Sequence, residues 1–150
     1  MGSGRGYLQD LVEDDTGLDL SPSVARRYHK KFVAGSATAL PFPDNTFDAI
    51  WTVWGLEHIP EPEKTMREMR RVLKPGGLLV LVDPRRDHLF GWGAIDLVEN
   101  AIFGLEEVRI FSVVQWYQLL GEAGFSDYRV DRGRFFSPVE WAEAFIEARA

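Results

Sequence analysis

Two hydrophobic periods alternate along the middle of this chain. From Phe47 to Val53 a short bulky run holds Ile50, Trp51, Thr52 and Val53, the pattern of a central, buried strand. From Glu61 to Leu73 the period changes: Met66, Met69, Val72 and Leu73 recur at helical spacing among charged residues. Pro62 suits the opening of that helix, and Lys74-Pro75-Gly76-Gly77 closes it. Leu78 to Val82 is then an uninterrupted apolar run, as expected of a parallel strand covered on both faces. The three pieces make one β-α-β crossover, and Leu40-Pro-Phe-Pro-Asp-Asn45 ahead of it reads as a proline-stiffened turn.

The same reading extends outward. Leu8, Leu11 and Val12 suggest a short helix over Tyr7 to Val12, and Thr16 to Leu20 a brief strand ending in an acid. Ser21 and Pro22 start a helix, with serine as cap. Val24, Tyr28 and Phe32 give it an apolar face, and Arg26, Arg27, Lys30 and Lys31 a solvated basic one. Phe32 to Ala34 is a second short strand. Beyond Asp83, Trp92, Ile95, Val98 and Ile102 suggest a helix over a pocket. Ser112 and Gln115 form a capping box before a helix that turns Val113, Trp116, Leu119, Leu120 and Ala123 inward and stops at Gly124. Tyr128 to Asp131 and Arg134 to Phe136 predict an antiparallel hairpin around Gly133. A second capping box, Ser137 with Glu140, predicts a last helix facing Trp141, Phe145 and Ala148 to the core. The expected fold class is α/β: a Rossmann-like, mostly parallel sheet with helices on both faces and an antiparallel C-terminal hairpin, in one domain over residues 1–150.

Composition narrows the chemistry. With 45% hydrophobic residues in 150, a true core is expected, and the net charge of −6 without a basic stripe argues against nucleic acid. Zero cysteines exclude thiolate catalysis, disulfides and cysteine-bound zinc. His29, His58 and His88 are widely spaced and outside any HExxH pattern, so no metal site is expected. No run approaches the ~20 apolar residues of a membrane helix, and no apolar signal core is present, which predicts a cytoplasmic protein. Two asparagines and three glutamines suit a heat-tolerant source.

Gly2, Gly4 and Gly6 supply a GxGxG loop leading into a helix, where backbone N–H groups can hold an anionic group. A glycine-rich turn without a ligand is the plainer alternative. Asp19, at a strand end shortly after, could accept hydrogen bonds from ribose hydroxyls or help the cap at Ser21. A dinucleotide oxidoreductase would want GxGxxG, but here the third glycine comes one residue early and Tyr7 takes its place.

Leu40-Pro-Phe with Phe47-Asp48, and Arg71-Val-Leu-Lys-Pro-Gly-Gly77, following the glycine loop and Asp19 in order, resemble the class I S-adenosylmethionine-dependent methyltransferases. The likeness is close from Gly2 to about Pro84 and looser from Phe111 to Val130. It implies methyl transfer from S-adenosylmethionine to a small-molecule acceptor by in-line displacement, with alignment as the main contribution of the protein. It further implies that Gly2, Gly4 and Gly6 meet the methionine part of the cofactor, that Asp19 meets the ribose, and that Ser36 and Ala37 frame the adenine. Many relatives carry Gly-Asp-Ala where this chain has Gly35-Ser36-Ala37, so the adenine contact here would fall to backbone. Trp54 would lie against the sulfonium or pack in the core, and His58 would face the acceptor as a structural group, a cofactor contact or a general base. Asp83 and His88 are further candidates after the fifth strand of the family. Aromatic residues between Leu89 and Phe111, with Trp92 and Phe103, suggest an apolar acceptor.

In the family a central strand carrying an acid precedes the glycine loop, and this sequence has only Met1 there. The expectation is therefore an N-terminally incomplete domain, a homodimer whose partner completes the sheet, or a non-catalytic relative serving as a binding or scaffold protein. Restoring an acid-ended strand ahead of Gly2 should raise stability and cofactor affinity together.

Overall fold

The structure, a computed structural model, describes residues 10, 13–84, 109–132 and 143–150. Gly2, Gly4, Gly6, His88, Trp92 and Phe103 lie outside them, as do most of the helix expected over 7–12, the helix over 92–102, the strand over 134–136 and the second capping box. In chain order the elements are β1 (Thr16–Asp19), a 3-10 turn (Pro22–Arg27), β2 (Lys31–Ala34), β3 (Phe47–Val53), a second 3-10 turn (Leu56–His58), α1 (Pro62–Val72), β4 (Leu73–Pro84), α2 (Val113–Glu122), β5 (Ser126–Arg132) and β6 (Glu143–Arg149).

The described strands form two sheets. β1 and β2 are parallel, with Asp19 opposite Ala34 at their C-terminal ends. The other sheet runs β3-β4-β6-β5, and β3 is parallel to β4 while β6 is antiparallel to both its neighbours. Among the described strands this sheet is therefore mixed, parallel at β3 and β4 and antiparallel where the C-terminal strands β5 and β6 join. Among the described strands β3 lies at an edge of its sheet, and only Ile50 and Thr52 of it are buried. The expectation of a central, buried strand there is corrected in this respect.

The core grows from the amphipathic stripe of α1. Met66, Met69 and Val72 are wholly buried and meet Leu79 and Leu81 of β4, while α1 also packs on α2. Trp116 of α2 is equally buried, its ring 5.0 Å from that of Phe111. Each such side chain contributes about 1.5–3 kcal/mol through removal from water. The Ser112–Gln115 capping box forms as the sequence predicts, and Gly124 ends α2 with φ +81°, a conformation that favours glycine.

Other expectations fail for identifiable reasons. Ser21 does not cap a helix: its hydroxyl pairs with Ser23, its N–H donates to the Asp19 carboxylate at 3.0 Å, and the helix is a 3-10 turn ending at Arg27. Phe32 of the supposed apolar face belongs to β2, where it meets the Tyr28 ring at 5.8 Å. The last described element is not a helix but strand β6, which pairs antiparallel with β5, while the strand expected over 134–136 lies outside the described residues. Alanine and glutamate favour a helix there locally, but a period of two puts Ile146 and Ala148 on one buried face, and the slot between β4 and β5 decides the outcome.

The turn before β3 is tied to α1 by Arg71. Its guanidinium donates to the carbonyls of Leu40 and Phe42, to Asp44, and to both oxygens of Glu68, at 2.7–3.0 Å. Glu68 also accepts from Leu40 N–H at 2.8 Å. Among the described residues, no helix is long and apolar enough to cross a membrane.

Candidate functional site

Parallel α/β sheets present ligand groups at the C-terminal ends of their strands. At the end of β1, Asp19 holds the start of the following turn through Ser21 N–H, and its carbonyl accepts Gly35 N–H at 3.0 Å. That bond brings Gly35-Ser36-Ala37 beside Asp19. The Ser36 hydroxyl is engaged locally: it meets the Thr38 hydroxyl at 2.8 Å and accepts Thr38 N–H at 3.2 Å. A purine edge at this point would thus be met by backbone atoms. Asp19, Ser36 and Ala37 are all partly exposed.

At the end of β3, Trp54 adopts φ +52°, which is strained for a bulky side chain. Its N–H donates to Val82 at 2.8 Å, so the ladder to β4 continues through the strained residue. The indole is half exposed. The chain then enters the Leu56–His58 turn, where the His58 imidazole is well exposed and its Nε2 stands 3.7 Å from Glu57 Oε1.

Beneath this turn lie two acids. Asp83, near the end of β4, is 1% exposed, and Glu57 is 4% exposed. Asp83 Oδ1 accepts Gly55 N–H at 3.1 Å, and the Glu57 carboxyl is near enough to act on the protonation of Asp83. Burial first, then the Glu57 carboxyl, push the Asp83 carboxyl well above the usual carboxylate range. Asp83 was a minor candidate in the sequence, and Glu57 was missed. A glutamate directly before a histidine reads as surface charge, and nothing local shows that it points inward.

Among the described residues, no group of three or more potential ligands could hold a metal. A cavity of about 630 Å³ is lined from both sheets, by Thr16 and Leu18 of β1 and by Asp48, Ile50 and Trp51 of β3 among others. None of Asp19, Ser36, Ala37, Trp54, His58 or Asp83 lines it. The polar groups gather at the strand ends instead.

This arrangement, parallel strands ending in an acid, a glycine turn and an exposed indole, is accompanied by a clear likeness to known proteins. Residues 1–81 match the family described as a methyltransferase domain. A demethylmenaquinone methyltransferase from Listeria monocytogenes is 38% identical over 142 residues, covering 76% of this chain and 60% of that protein. One from Renibacterium salmoninarum is 53% identical over 75 residues, covering 49% of this chain and 32% of that protein. Among solved structures, a SAM-dependent methyltransferase from Thermotoga maritima superposes with a TM-score of 0.84 at 25% identity, over 99% of this chain and 79% of that one. The chain belongs to the methyltransferase domain family, and its fold is the Rossmann-like α/β fold of class I S-adenosylmethionine-dependent methyltransferases. It spans 60% or less of the length of these two curated relatives.

Proposed function

We propose that this domain transfers a methyl group from S-adenosylmethionine to a small-molecule acceptor, and that the acceptor is a quinone of the demethylmenaquinone kind. The observation that carries the reading is the meeting of Asp19 with Gly35-Ser36-Ala37 at the ends of β1 and β2. A carboxylate suits ribose hydroxyls, and a turn that leaves its backbone groups for a purine edge suits adenine. The names of the two curated relatives support the choice of acceptor.

S-Adenosylmethionine supplies an electrophilic methyl group on a cationic sulfur. In the proposed roles, Asp19 accepts hydrogen bonds from the ribose, and the chain at Gly2, Gly4 and Gly6 meets the methionine part. Backbone groups of Ser36 and Ala37 frame the adenine. The electron-rich face of Trp54 favours the cationic sulfur, a contact worth about 0.5–2 kcal/mol. The main contribution is alignment of donor and acceptor, and His58 is placed to take a proton only where the acceptor must lose one during attack.

Calorimetric titration of the chain with S-adenosylhomocysteine, with the oligomeric state checked in the same buffer, tests the cofactor half. Saturable binding is expected. Turnover with S-adenosylmethionine and a demethylmenaquinone analogue tests the acceptor. A folded chain that binds no S-adenosylhomocysteine would overturn the reading in favour of a non-catalytic relative.

A further inference from the structure

We propose that Glu57 and Asp83 share a single proton, and that the pair acts as a positioning element which locks the Trp54–His58 turn onto the ends of β3 and β4. The consequence for catalysis rests on the function proposed above; the shared proton does not.

Burial of both acids and an unpaired oxygen on each call for a donor between them. Asp83 Oδ2 and Glu57 Oε2 are buried and have no hydrogen-bond partner among the described residues. Two ionised carboxylates are acceptors only, so in contact they repel and both outer oxygens stay unsatisfied. One proton held between the carboxyls turns repulsion into a donor–acceptor bond and gives an oxygen of each acid a partner. A buried polar atom left unpaired is costly enough that this state prevails. The remaining contacts then form a chain across the turn. Asp83 Oδ1 receives Gly55 N–H at 3.1 Å. The Glu57 carbonyl receives Arg109 N–H at 2.9 Å, and Glu57 Oε1 adjoins His58.

Glu57 is thus held through its backbone by the segment at Arg109 and through its side chain by β4. Trp54 and His58, the two exposed groups of the turn, flank the residues so fixed. The titratable groups that adjoin the pair among the described residues are the two acids, from the turn and from β4, and His58. Arg109 meets the turn through its backbone.

Infrared spectroscopy of the 150-residue chain at neutral pH provides the test. The carbonyl stretch of a neutral carboxylic acid is expected in the folded wild-type chain. It should disappear in Asp83→Asn, persist in His58→Gln, and shift in frequency in Glu57→Gln, where Asp83 stays buried but its carboxylate partner is gone. No band in the folded wild-type chain, a band that survives Asp83→Asn, or one that Glu57→Gln leaves unshifted overturns the shared proton, and absence of the band from the wild-type spectrum does so even should a variant fail to fold.

The pH dependence of stability supplies a second readout. The folded chain keeps a proton that the unfolded chain releases, so this site makes stability fall as pH rises from the ordinary aspartate value through the raised one. Asp83→Asn should remove that fall, and parallel profiles for the two proteins count against the pair. The positioning role is read by hydrogen exchange: Glu57→Ala should speed exchange of the Gly55 amide by about tenfold or more, as for a local opening made easier. Unchanged exchange overturns that role. A chain that shows the band but binds no S-adenosylhomocysteine would sink the proposed function and leave the pair standing.

Discussion

The two ends of the β3–β4 pair are built on opposite principles. At the N-terminal end every charge has a partner: Arg71 joins Glu68, Asp44 and two carbonyls, Lys74 reaches both oxygens of Asp48 at 2.7 and 2.8 Å, and Asn45 and Thr46 donate to the end of α1. At the C-terminal end, Trp54 is strained and half exposed, and two buried acids meet with an oxygen each left over. The first end satisfies the ordinary demands of folding. The second keeps strain and buried carboxyls of the sort that accumulate where a ligand must be held. The same two strands carry both, so the contrast separates what holds the fold from what serves the site.

The comparison is broken most severely by Arg71→Ala. It strands the Leu40 and Phe42 carbonyls and removes the partner of Glu68, and a loss of about 2–3 kcal/mol in chemical denaturation is expected. Cofactor affinity of the molecules that remain folded should not change. Arg71 holds the Glu68 carboxyl below the usual range, so this contribution is complete above the ordinary glutamate value and is lost as pH falls through the lowered one. The gap between wild type and variant should therefore narrow in acid, and a gap that stays constant would show that the ion pair is not its source.

At the opposite end the effects should fall on binding. Asp19→Ala is expected to weaken S-adenosylhomocysteine binding more than tenfold, about 1.4 kcal/mol, and an unchanged dissociation constant would remove the ribose assignment. Asp19→Asn can keep an oxygen for Ser21 N–H and so separates the turn from the charge. Trp54→Ala should weaken binding of the cationic S-adenosylmethionine by about two- to fivefold, more than it weakens the neutral homocysteine product, as expected for an indole facing sulfur. Equal loss for both would point to packing instead. The smallest effect is expected for Lys74→Met: its bond to Asp48 is largely exposed, so about 0–1 kcal/mol of stability is lost and the difference shrinks in high salt.

The well-paired end was the more legible one. Leu40-Pro-Phe, Phe47-Asp48 and Arg71 to Gly77 stood out in the chain, and the structure shows the function of this spacing: one guanidinium reaches carbonyls that the prolines hold in place. Gly77 belongs to the same packing, for a Cβ there would lie 2.9 Å from the Lys74 carbonyl. Asp19 could be found because a strand-end acid followed by Ser-Pro is a local pattern. Glu57 could not, because its burial depends on Asp83, which arrives on another strand. Ser36 was legible as a departure from its relatives, but its bond to Thr38 was not.

By itself the chain determined its local elements: α1 from a stripe of apolar residues, α2 from a capping box and a closing glycine, and β3 and β4 from bulky runs that suit no helix. These depend on spacing and on caps a few residues away, which any copy of the sequence carries with it. Tertiary structure decided the rest. It drew 143–149 into a strand because β4 and β5 offered a place between them, and it divided the described strands into two sheets. It also brought Glu57 against Asp83. Such outcomes depend on hydrogen bonds and burial between residues far apart in the chain, and no local pattern carries that information.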